Sequence, residues 1–337
     1  MSDEFVLVTG GSGFLGLHCI AALLREGYQV RTTVRSLAVV DEVRAAVSEA
    51  GVDASGLEFS PADLTRDQGW IEAVAGCDFV LHTASPFPMA APAHEDELIG
   101  PAVGGVERVL GAAVDAGVRR VVLTSSVAAV AAGVPPRDRP FTEADCSDPS
   151  GPIDAYSKSK TLAERRAWEL VAGTGTELVS VNPVLILGPL LGRRPGTSLQ
   201  IVQRLLQGAY PAVPRLSFGV VDVRDVADLH VLALRSPEAS GQRLIASAPP
   251  ALWLADVARE LRAGLGADAR RVPVLPVPNW TVRIAALFDP ALRLVAADLG
   301  TLRETDNARA RSLGWSPRSP EEAVVSAGRS LLDAGLV

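Results

Sequence analysis

Cysteine is scarce in this chain, with only Cys19, Cys77 and Cys146 among 337 residues. Their odd number and wide spacing give neither a disulfide framework nor a zinc pattern, so we expect buried thiols in a reducing compartment and no bound metal. Long runs of lysine and arginine are also absent, and the formal net charge is -7. This charge balance argues against a nucleic-acid partner and favours a small-molecule ligand.

Long apolar runs are lacking as well, because no uninterrupted apolar stretch reaches membrane-spanning length. The N-terminus carries Asp3 and Glu4 directly before an apolar strand, which is not the pattern of a signal peptide. We therefore expect a cytoplasmic protein, a monomer or a homodimer, that does not bind a membrane. Its length and its hydrophobic content of 48% allow a large buried core.

The stretch from Phe5 to Gly16 has the pattern of a buried strand, a glycine turn and a helix. Three glycines follow the strand at G-x-x-G-x-x-G spacing, which lets the backbone approach a ligand without an intervening Cβ atom. The N–H groups and positive dipole end of the next helix suit a phosphate. A tight turn without a ligand would also favour glycine, but the strand and helix around it favour a dinucleotide pyrophosphate site. The candidate contacts are Gly10, Gly13, Phe14, Leu15 and Gly16.

The end of the second predicted strand, Val30 to Val34, indicates which dinucleotide binds. At this point an acidic residue would bind the 2′-hydroxyl of NAD, whereas an arginine accommodates the 2′-phosphate of NADP. Arg35 follows the strand and no acidic residue does, so NADP is favoured over the alternative of a solvated surface arginine.

Two further strands are expected at Leu57 to Ser60 and Phe79 to His82. Asp63 and Leu64 follow the first of them, where the Asp63 carboxylate would either meet the adenine amino group or cap a helix. We interpret His82 as a core histidine with its hydrogen bonds satisfied. The small residues after it would pass under the cofactor, and they are Thr83, Ala84 and Ser85.

Tyr156 and Lys160 carry the expected chemistry. They are four residues apart on a predicted helix, so their side chains share one face. Hydride addition to a carbonyl carbon leaves charge on the oxygen, and a phenol can donate the proton if a nearby ammonium lowers its pKa towards neutrality. A serine at the end of an adjacent strand, Ser125 or Ser126, would hold the carbonyl oxygen.

At these residues the sequence resembles the extended short-chain dehydrogenases/reductases, and within them the group of dihydroflavonol reductases, cinnamoyl-CoA reductases and bacterial aldehyde/ketone reductases. The resemblance covers nearly the whole chain. It implies that Ser126 is the catalytic serine, that Arg35 binds the 2′-phosphate, and that Pro183 and Ser198 meet the cofactor. The matching segments are Val8–Gly16, Thr33–Arg35, His82–Pro86, Thr124–Ser126, Tyr156–Glu164, Asn182–Pro183, Gly188–Pro189 and Val221–Ala227.

One departure from this group concerns the substrate. An apolar run from Ala128 to Ala132 lies where the plant flavonoid reductases carry a polar residue, which makes a flavonoid substrate doubtful. We expect a hydrophobic aldehyde or ketone in a pocket that includes Phe87, Ala131 and Phe218. A nucleotide-sugar epimerase or dehydratase and a non-catalytic NADP-binding regulator are the alternatives. The residues Val179-Ser-Val before Asn182 disfavour the first, and the presence of both tyrosine and lysine disfavours the second.

The predicted fold class is α/β, a Rossmann-type doubly wound parallel sheet with a smaller, mostly helical C-terminal lobe. We expect the NADP-binding domain at residues 1–182, completed by roughly 220–250, and the substrate-binding lobe at 183–219 and 251–337. Asp225 is the predicted N-cap of a helix through Leu234. Core positions in the smaller lobe are predicted at Trp280, Phe288 and Trp315.

Overall fold

The computed structural model describes residues 4–86, 94–135, 138–287 and 298–337. The strands are β1 (Phe5–Thr9), β2 (Gln29–Val34), β3 (Glu58–Pro61), β4 (Phe79–His82), β5 (Arg120–Thr124), β6 (Glu177–Pro183), β7 (Leu185–Leu187), β8 (Val213–Pro214), β9 (Ser217–Asp222), β10 (Arg243–Ala246), β11 (Ala248–Trp253) and β12 (Pro276–Val277). The α-helices are α1 (Phe14–Arg25), α2 (Val40–Ser48), α3 (Trp70–Val74), α4 (Asp96–Asp115), α5 (Ala128–Ala131), α6 (Ala155–Val171), α7 (Gln200–Leu206), α8 (Val223–Arg235), α9 (Leu254–Leu265), α10 (Asn279–Ala285), α11 (Ala308–Ser312) and α12 (Pro320–Asp333). Within these ranges, no helix is both long and apolar enough to cross a membrane.

Seven strands form a parallel central sheet in the order β3-β2-β1-β4-β5-β6-β10. The apolar run Val6 to Val8 has no exposed surface, as expected for a central strand covered on both faces. Strand order reverses between β1 and β4, and ligands of open α/β sheets bind beyond the carboxyl ends of the strands at such a point. The predicted Rossmann-type doubly wound fold is confirmed.

Helices cover both faces of this sheet. On one face α1 packs between α2 and α8, and on the other α4 packs along α6 and contacts α3. Gly105 on α4 lies against Leu64, where an added Cβ atom would be 3.0 Å from the leucine Cδ2 atom. This contact explains why α4 tolerates a glycine in its interior at a cost of about 1 kcal/mol relative to alanine.

A second hydrophobic cluster lies around the smaller sheet β11-β9-β7. Helices α7, α9 and α12 contribute fully buried side chains to it, including Leu205, Leu261 and Val324. The chain then returns to the central sheet, because β10 pairs in parallel with β6.

Several expectations from sequence need correction or fall outside the described residues. Cys146 is exposed, so only Cys19 and Cys77 are buried thiols. Asp222, not Asp225, caps α8, because its carboxylate accepts a hydrogen bond from the Arg224 N–H group. Asp225 instead lies in the first turn and pairs with Arg318. Trp280 is 64% exposed, so its assignment to the core was wrong. Trp315 is buried, but in the hydrophobic cluster of the central sheet rather than in the smaller lobe. Phe288 lies outside the described residues.

Candidate active site

The glycine turn is held by its own backbone and by strand β2. The Gly10 N–H group donates to the Thr33 hydroxyl at 3.1 Å, and the Gly13 N–H group donates to the Gly10 carbonyl at 2.9 Å. Gly10 has a φ of +73°, which favours glycine. A Cβ atom added to Gly16 would overlap the Gly10 carbonyl oxygen. The turn therefore requires glycine at both ends for steric reasons.

Helix α1 begins at Phe14 with Gly13 as its N-cap, and no side-chain capping bond is present among the described residues. The first N–H groups of the helix are therefore available to a ligand. The segment after β4 covers the turn, because a Cβ atom on Gly10 would lie 3.0 Å from the Ala84 Cα atom. The Thr83 hydroxyl fixes this segment by donating to the Thr9 carbonyl at 2.7 Å. The structure thus brings the predicted loop and the glycine turn together.

Arg35 follows β2 as an exposed side chain that makes no hydrogen bond or ion pair within the described part of the chain. Asp63 follows β3, and its carboxylate accepts hydrogen bonds from the Thr65 N–H and hydroxyl groups. These bonds lower the Asp63 pKa, and nearby Arg66 and Arg35 lower it further. Asp63 therefore stabilises a local turn rather than capping a helix, and Leu64 packs inward beside α4.

Pro183 and Ser198 are the two predicted cofactor contacts from the later part of the chain. Pro183 ends β6, and its carbonyl accepts a hydrogen bond from the Val127 N–H group, one residue after Ser126. Ser198 lies in the short 3-10 turn Thr197–Leu199. The preceding Gly196 contacts Phe14, where an added Cβ atom would be 2.9 Å from the phenylalanine Cβ atom.

Helix α6 and the end of β5 bring the three predicted catalytic side chains together. Asp154 caps the helix by accepting a 3.0 Å hydrogen bond from the Ser157 N–H group, so Tyr156 lies in the first turn. The Tyr156 phenol hydrogen-bonds to the Ser126 side chain. The Lys160 Nζ atom lies 6.0 Å from the centroid of the tyrosine ring. Of the two candidate serines, Ser126 is thus the one beside the phenol.

The electrostatics of this cluster differ from the expectation in one respect. Burial raises the pKa of Tyr156 to about 12, and the hydrogen bond from Ser126 opposes that rise. The lysine was expected to lower the phenol pKa towards neutrality, but burial outweighs such an effect here. Burial also lowers the pKa of Lys160 to about 8, while Glu164 raises it. At neutral pH both side chains are protonated.

The three predicted pocket residues have different environments. Phe218 on β9 is partly buried between two hydrophobic clusters. Ala131 is 6% exposed and packs with Val130, Phe141 and Ile245. Phe87 lies outside the described residues.

Comparisons with known proteins identify the family of this chain. The model of the NAD-dependent epimerase/dehydratase family matches residues 6–246. The chain belongs to this family. It is 38% identical over 248 residues to a cinnamoyl-CoA reductase from Medicago truncatula, covering 71% of this chain and 75% of that protein. It is 33% identical over 253 residues to a dihydroflavonol 4-reductase from Hordeum vulgare, covering 72% and 70%.

Among solved structures, this member of the epimerase/dehydratase family is similar to yeast methylglyoxal/isovaleraldehyde reductase Gre2 complexed with NADPH. The TM-score is 0.80 at 28% identity, and the match covers 99% of this chain and 100% of that chain. The resemblance to the dihydroflavonol and cinnamoyl-CoA reductase group that the motifs indicated is therefore confirmed.

Two features of this epimerase/dehydratase-family site were not predicted from the sequence. A Cβ atom on Gly11, between the motif glycines, would overlap the Thr32 hydroxyl. The buried carboxylate of Glu164 is bonded to Ser125, Asn182 and Arg243. The spacing of Glu164 four residues after Lys160 was a usable signal, whereas nothing in the sequence marks Arg243 as its partner.

His82 is confirmed as a satisfied core residue, since its Nδ1 atom lies 2.8 Å from the Thr9 hydroxyl and burial lowers its pKa to about 3.

Proposed function

We propose that this protein is an NADPH-dependent reductase that converts the carbonyl group of a hydrophobic aldehyde or ketone into an alcohol. The observation that carries the proposal is the cluster of Ser126, Tyr156 and Lys160. Lys160 lines a cavity together with Ala84, which lies against Gly10 of the glycine turn. The reductase names of the similar proteins favour this function over a nucleotide-sugar epimerase or dehydratase. Because tyrosine and lysine are both present, a non-catalytic NADP-binding regulator is also disfavoured.

Three observations support the binding of NADPH by this chain. The glycine turn has no room for a Cβ atom on Gly16, and the N-terminus of α1 lacks a side-chain cap within the described residues. Arg35 is exposed and makes no hydrogen bond or ion pair in that part of the chain. The turn and helix would bind the pyrophosphate through backbone N–H groups. Arg35 would bind the 2′-phosphate. The rest of the cofactor would be contacted by Thr83, Ala84, Pro183 and Ser198. When bound, NADPH supplies the hydride.

The side chains of this protein supply the proton and orient the substrate. With its pKa raised to about 12, Tyr156 holds its proton at neutral pH and is in the donor form that reduction needs. Ser126 would hydrogen-bond the carbonyl oxygen that receives the proton. The positive charge of Lys160 stabilises the phenolate that remains. Because the pKa of Lys160 is about 8, we expect the rate of reduction to fall as the pH rises through that value.

The apolar surroundings favour a hydrophobic substrate. Helix α5 begins two residues after Ser126 and carries only apolar side chains, so a substrate pocket beside it and Phe218 would offer few partners for hydroxyl groups, whose burial without hydrogen bonds is unfavourable. We therefore expect aryl and alkyl carbonyl compounds to react better than nucleotide sugars or polyhydroxylated flavonoids.

NADPH consumption with a panel of aromatic, aliphatic and 1,2-dicarbonyl compounds tests the function. Dihydroflavonols and nucleotide sugars serve as comparison substrates. The proposal expects the largest kcat/KM among the simple hydrophobic carbonyls. A larger kcat/KM for a nucleotide sugar or a dihydroflavonol would refute the substrate assignment, and failure of every carbonyl compound to oxidise NADPH would refute the reductase.

A further inference from the structure

Glu164 is a buried carboxylate next to the proposed catalytic side chains, because it is hydrogen-bonded to Ser125, the residue before Ser126. Glu164 is one helical turn after Lys160 on α6, and its side chain is 5% exposed. The Ser125 hydroxyl and the Asn182 amide both donate to its Oε2 atom, the amide at 2.7 Å. The Arg243 Nε atom donates to its Oε1 atom at 2.6 Å. Both carboxylate oxygens are thus engaged with groups from three different strands or strand ends.

These contacts link the backbone segments that carry the reacting groups. Ser125 precedes Ser126, and the Asn182 amide that binds Glu164 also donates to the Ser126 carbonyl at 3.1 Å. Asn182 in turn precedes Pro183 at the end of β6. Glu164 therefore connects α6 to the ends of β5 and β6 through bonds that a neutral side chain of similar shape would only partly keep.

The same carboxylate acts on the charge of Lys160. A cavity of about 20 Å³ beside the Lys160 side chain is also lined by Glu164, His82 and Ser125. This volume suffices for about one water molecule.

Of the charged or titratable groups around the lysine, His82 on β4 is neutral because burial lowers its pKa to about 3. The α4 residues that line the cavity, Ala102 and Val106, carry no charge. Tyr156 is protonated at neutral pH, and Arg243 is already paired with Glu164. Among the residues that the structure describes, Glu164 is thus the negative charge that raises the Lys160 pKa.

We propose that Glu164 is a positioning residue of the reductase, which fixes Ser126 relative to Tyr156 and keeps Lys160 in its charged form. This inference rests on the proposed function. A purely structural ion pair with Arg243 is the competing explanation, because breaking a buried pair also destabilises a fold. The two explanations differ in the pH dependence that they predict for a variant.

Glu164→Gln preserves the size of the side chain and removes its charge. Glu164 raises the Lys160 pKa, so its neutralisation lowers that pKa further from about 8. Lys160 must be charged to act, so the alkaline fall in reduction rate moves to lower pH, by roughly one unit for a tenfold change in the lysine equilibrium. The loss of kcat is therefore larger at pH 8 than at pH 6. A purely structural defect would lower kcat by a similar factor at both pH values.

Glu177→Gln is the matched control. Glu177 also pairs with an arginine, because it accepts from Arg120 at 2.7 Å, but it begins β6 at the opposite end from Asn182. We expect this control to keep the wild-type pH profile even if its melting temperature falls. Glu164→Asp restores the charge and should return the alkaline limb towards its wild-type position. NADPH affinity at pH 6, measured by fluorescence titration, should stay close to wild type in all three variants.

The outcomes separate this inference from the function on which it rests. If the wild type reduces no carbonyl compound, the proposed function fails; if it does, and Glu164→Gln has an unshifted pH profile, only the role of Glu164 is refuted. If Glu164→Gln does not fold, Ser125→Ala provides the test, since it removes one bond to Glu164 and no charge. Because this variant keeps the charge of Glu164, its alkaline limb should not shift; a lower kcat at an unchanged melting temperature would support the positioning role, whereas a wild-type kcat, or a kcat that falls only together with the melting temperature, would overturn it.

Discussion

Replacement of Arg35 by alanine tests the proposed cofactor preference without disturbing the fold. Arg35 is exposed and makes no hydrogen bond or ion pair in the ranges that the structure describes. Its side chain lowers the pKa of Asp63, but Asp63 is held mainly by its own bonds to Thr65. The substitution therefore removes no contact that holds the protein together, and we expect an unchanged melting temperature.

The substitution should greatly lower kcat/KM for NADPH, because the 2′-phosphate that Arg35 would bind is charged. Hydrogen bonds to a charged group contribute about 1.5–3 kcal/mol, which corresponds to a change of about ten- to a hundredfold in kcat/KM. The contact would be remote from the transferred hydride and equal in ground and transition states. Arg35→Ala should thus raise KM for NADPH with little change in kcat, and kinetics with NADH should change little. The next residue, Ser36, would add a weaker second contact, so some residual preference for NADPH is expected.

Steady-state kinetics with both cofactors at one ionic strength measure this effect, because salt partly screens the interaction. Arg311→Ala is the matched control. Arg311 is also an exposed arginine, and its helix α11 packs beside β10, at the sheet edge opposite β2 and β3. An Arg35→Ala variant that keeps the wild-type preference for NADPH would show that Arg35 is only a solvated surface charge. Equal wild-type use of NADH would refute the same assignment.

Three further outcomes are expected. Tyr156→Phe should lower kcat by about 10² or more and leave NADPH affinity nearly intact, because only the proton donor is lost; turnover near wild type would contradict its role. Lys160→Met should lower kcat and weaken NADPH binding in a fluorescence titration, because we expect the Lys160 ammonium to hydrogen-bond the nicotinamide ribose as well; an unchanged dissociation constant would argue against that contact. In urea denaturation, Trp315→Ala should lower the free energy of unfolding by about 3–5 kcal/mol, because Trp315 is buried. Trp280→Ala should lower it by about 0.5 kcal/mol or less, because Trp280 is exposed. Similar losses at the two tryptophans would contradict the burial described above.

The elements that the sequence predicted correctly are those governed by local rules. The apolar run Val6 to Val8 and the glycines after it define a strand and a turn through their own sterics, so their structure could be derived without knowing the rest of the fold. The four-residue spacing of Tyr156 and Lys160 likewise places both on one helix face. The nearness of Ser126 to this face depends only on the parallel order of β5 and β6.

The features that escaped prediction depend on contacts between distant segments. Asp222 and Asp225 are both reasonable helix caps by sequence, and the choice follows from Arg318, which pairs with Asp225 from far along the chain. The exposure of Trp280 reflects which face of α10 meets the smaller sheet, and residue type alone does not specify it. The raised pKa of Tyr156 results from burial, which a helical spacing does not report.

The pairing of Glu164 with Arg243 has a consequence for synthesis of the protein on the ribosome. The two residues are 79 positions apart, and Arg243 begins β10, the last strand to join the central sheet. A nascent chain that ends after β6 already contains Ser126, Tyr156 and Lys160 but lacks the guanidinium that compensates the Glu164 carboxylate. Burial of that carboxylate without its partner is strongly unfavourable, so the region around it remains hydrated until β10 is translated. The last strand to join the sheet therefore also supplies the partner of Glu164, and the proposed catalytic side chains reach their final arrangement only when β10 is in place.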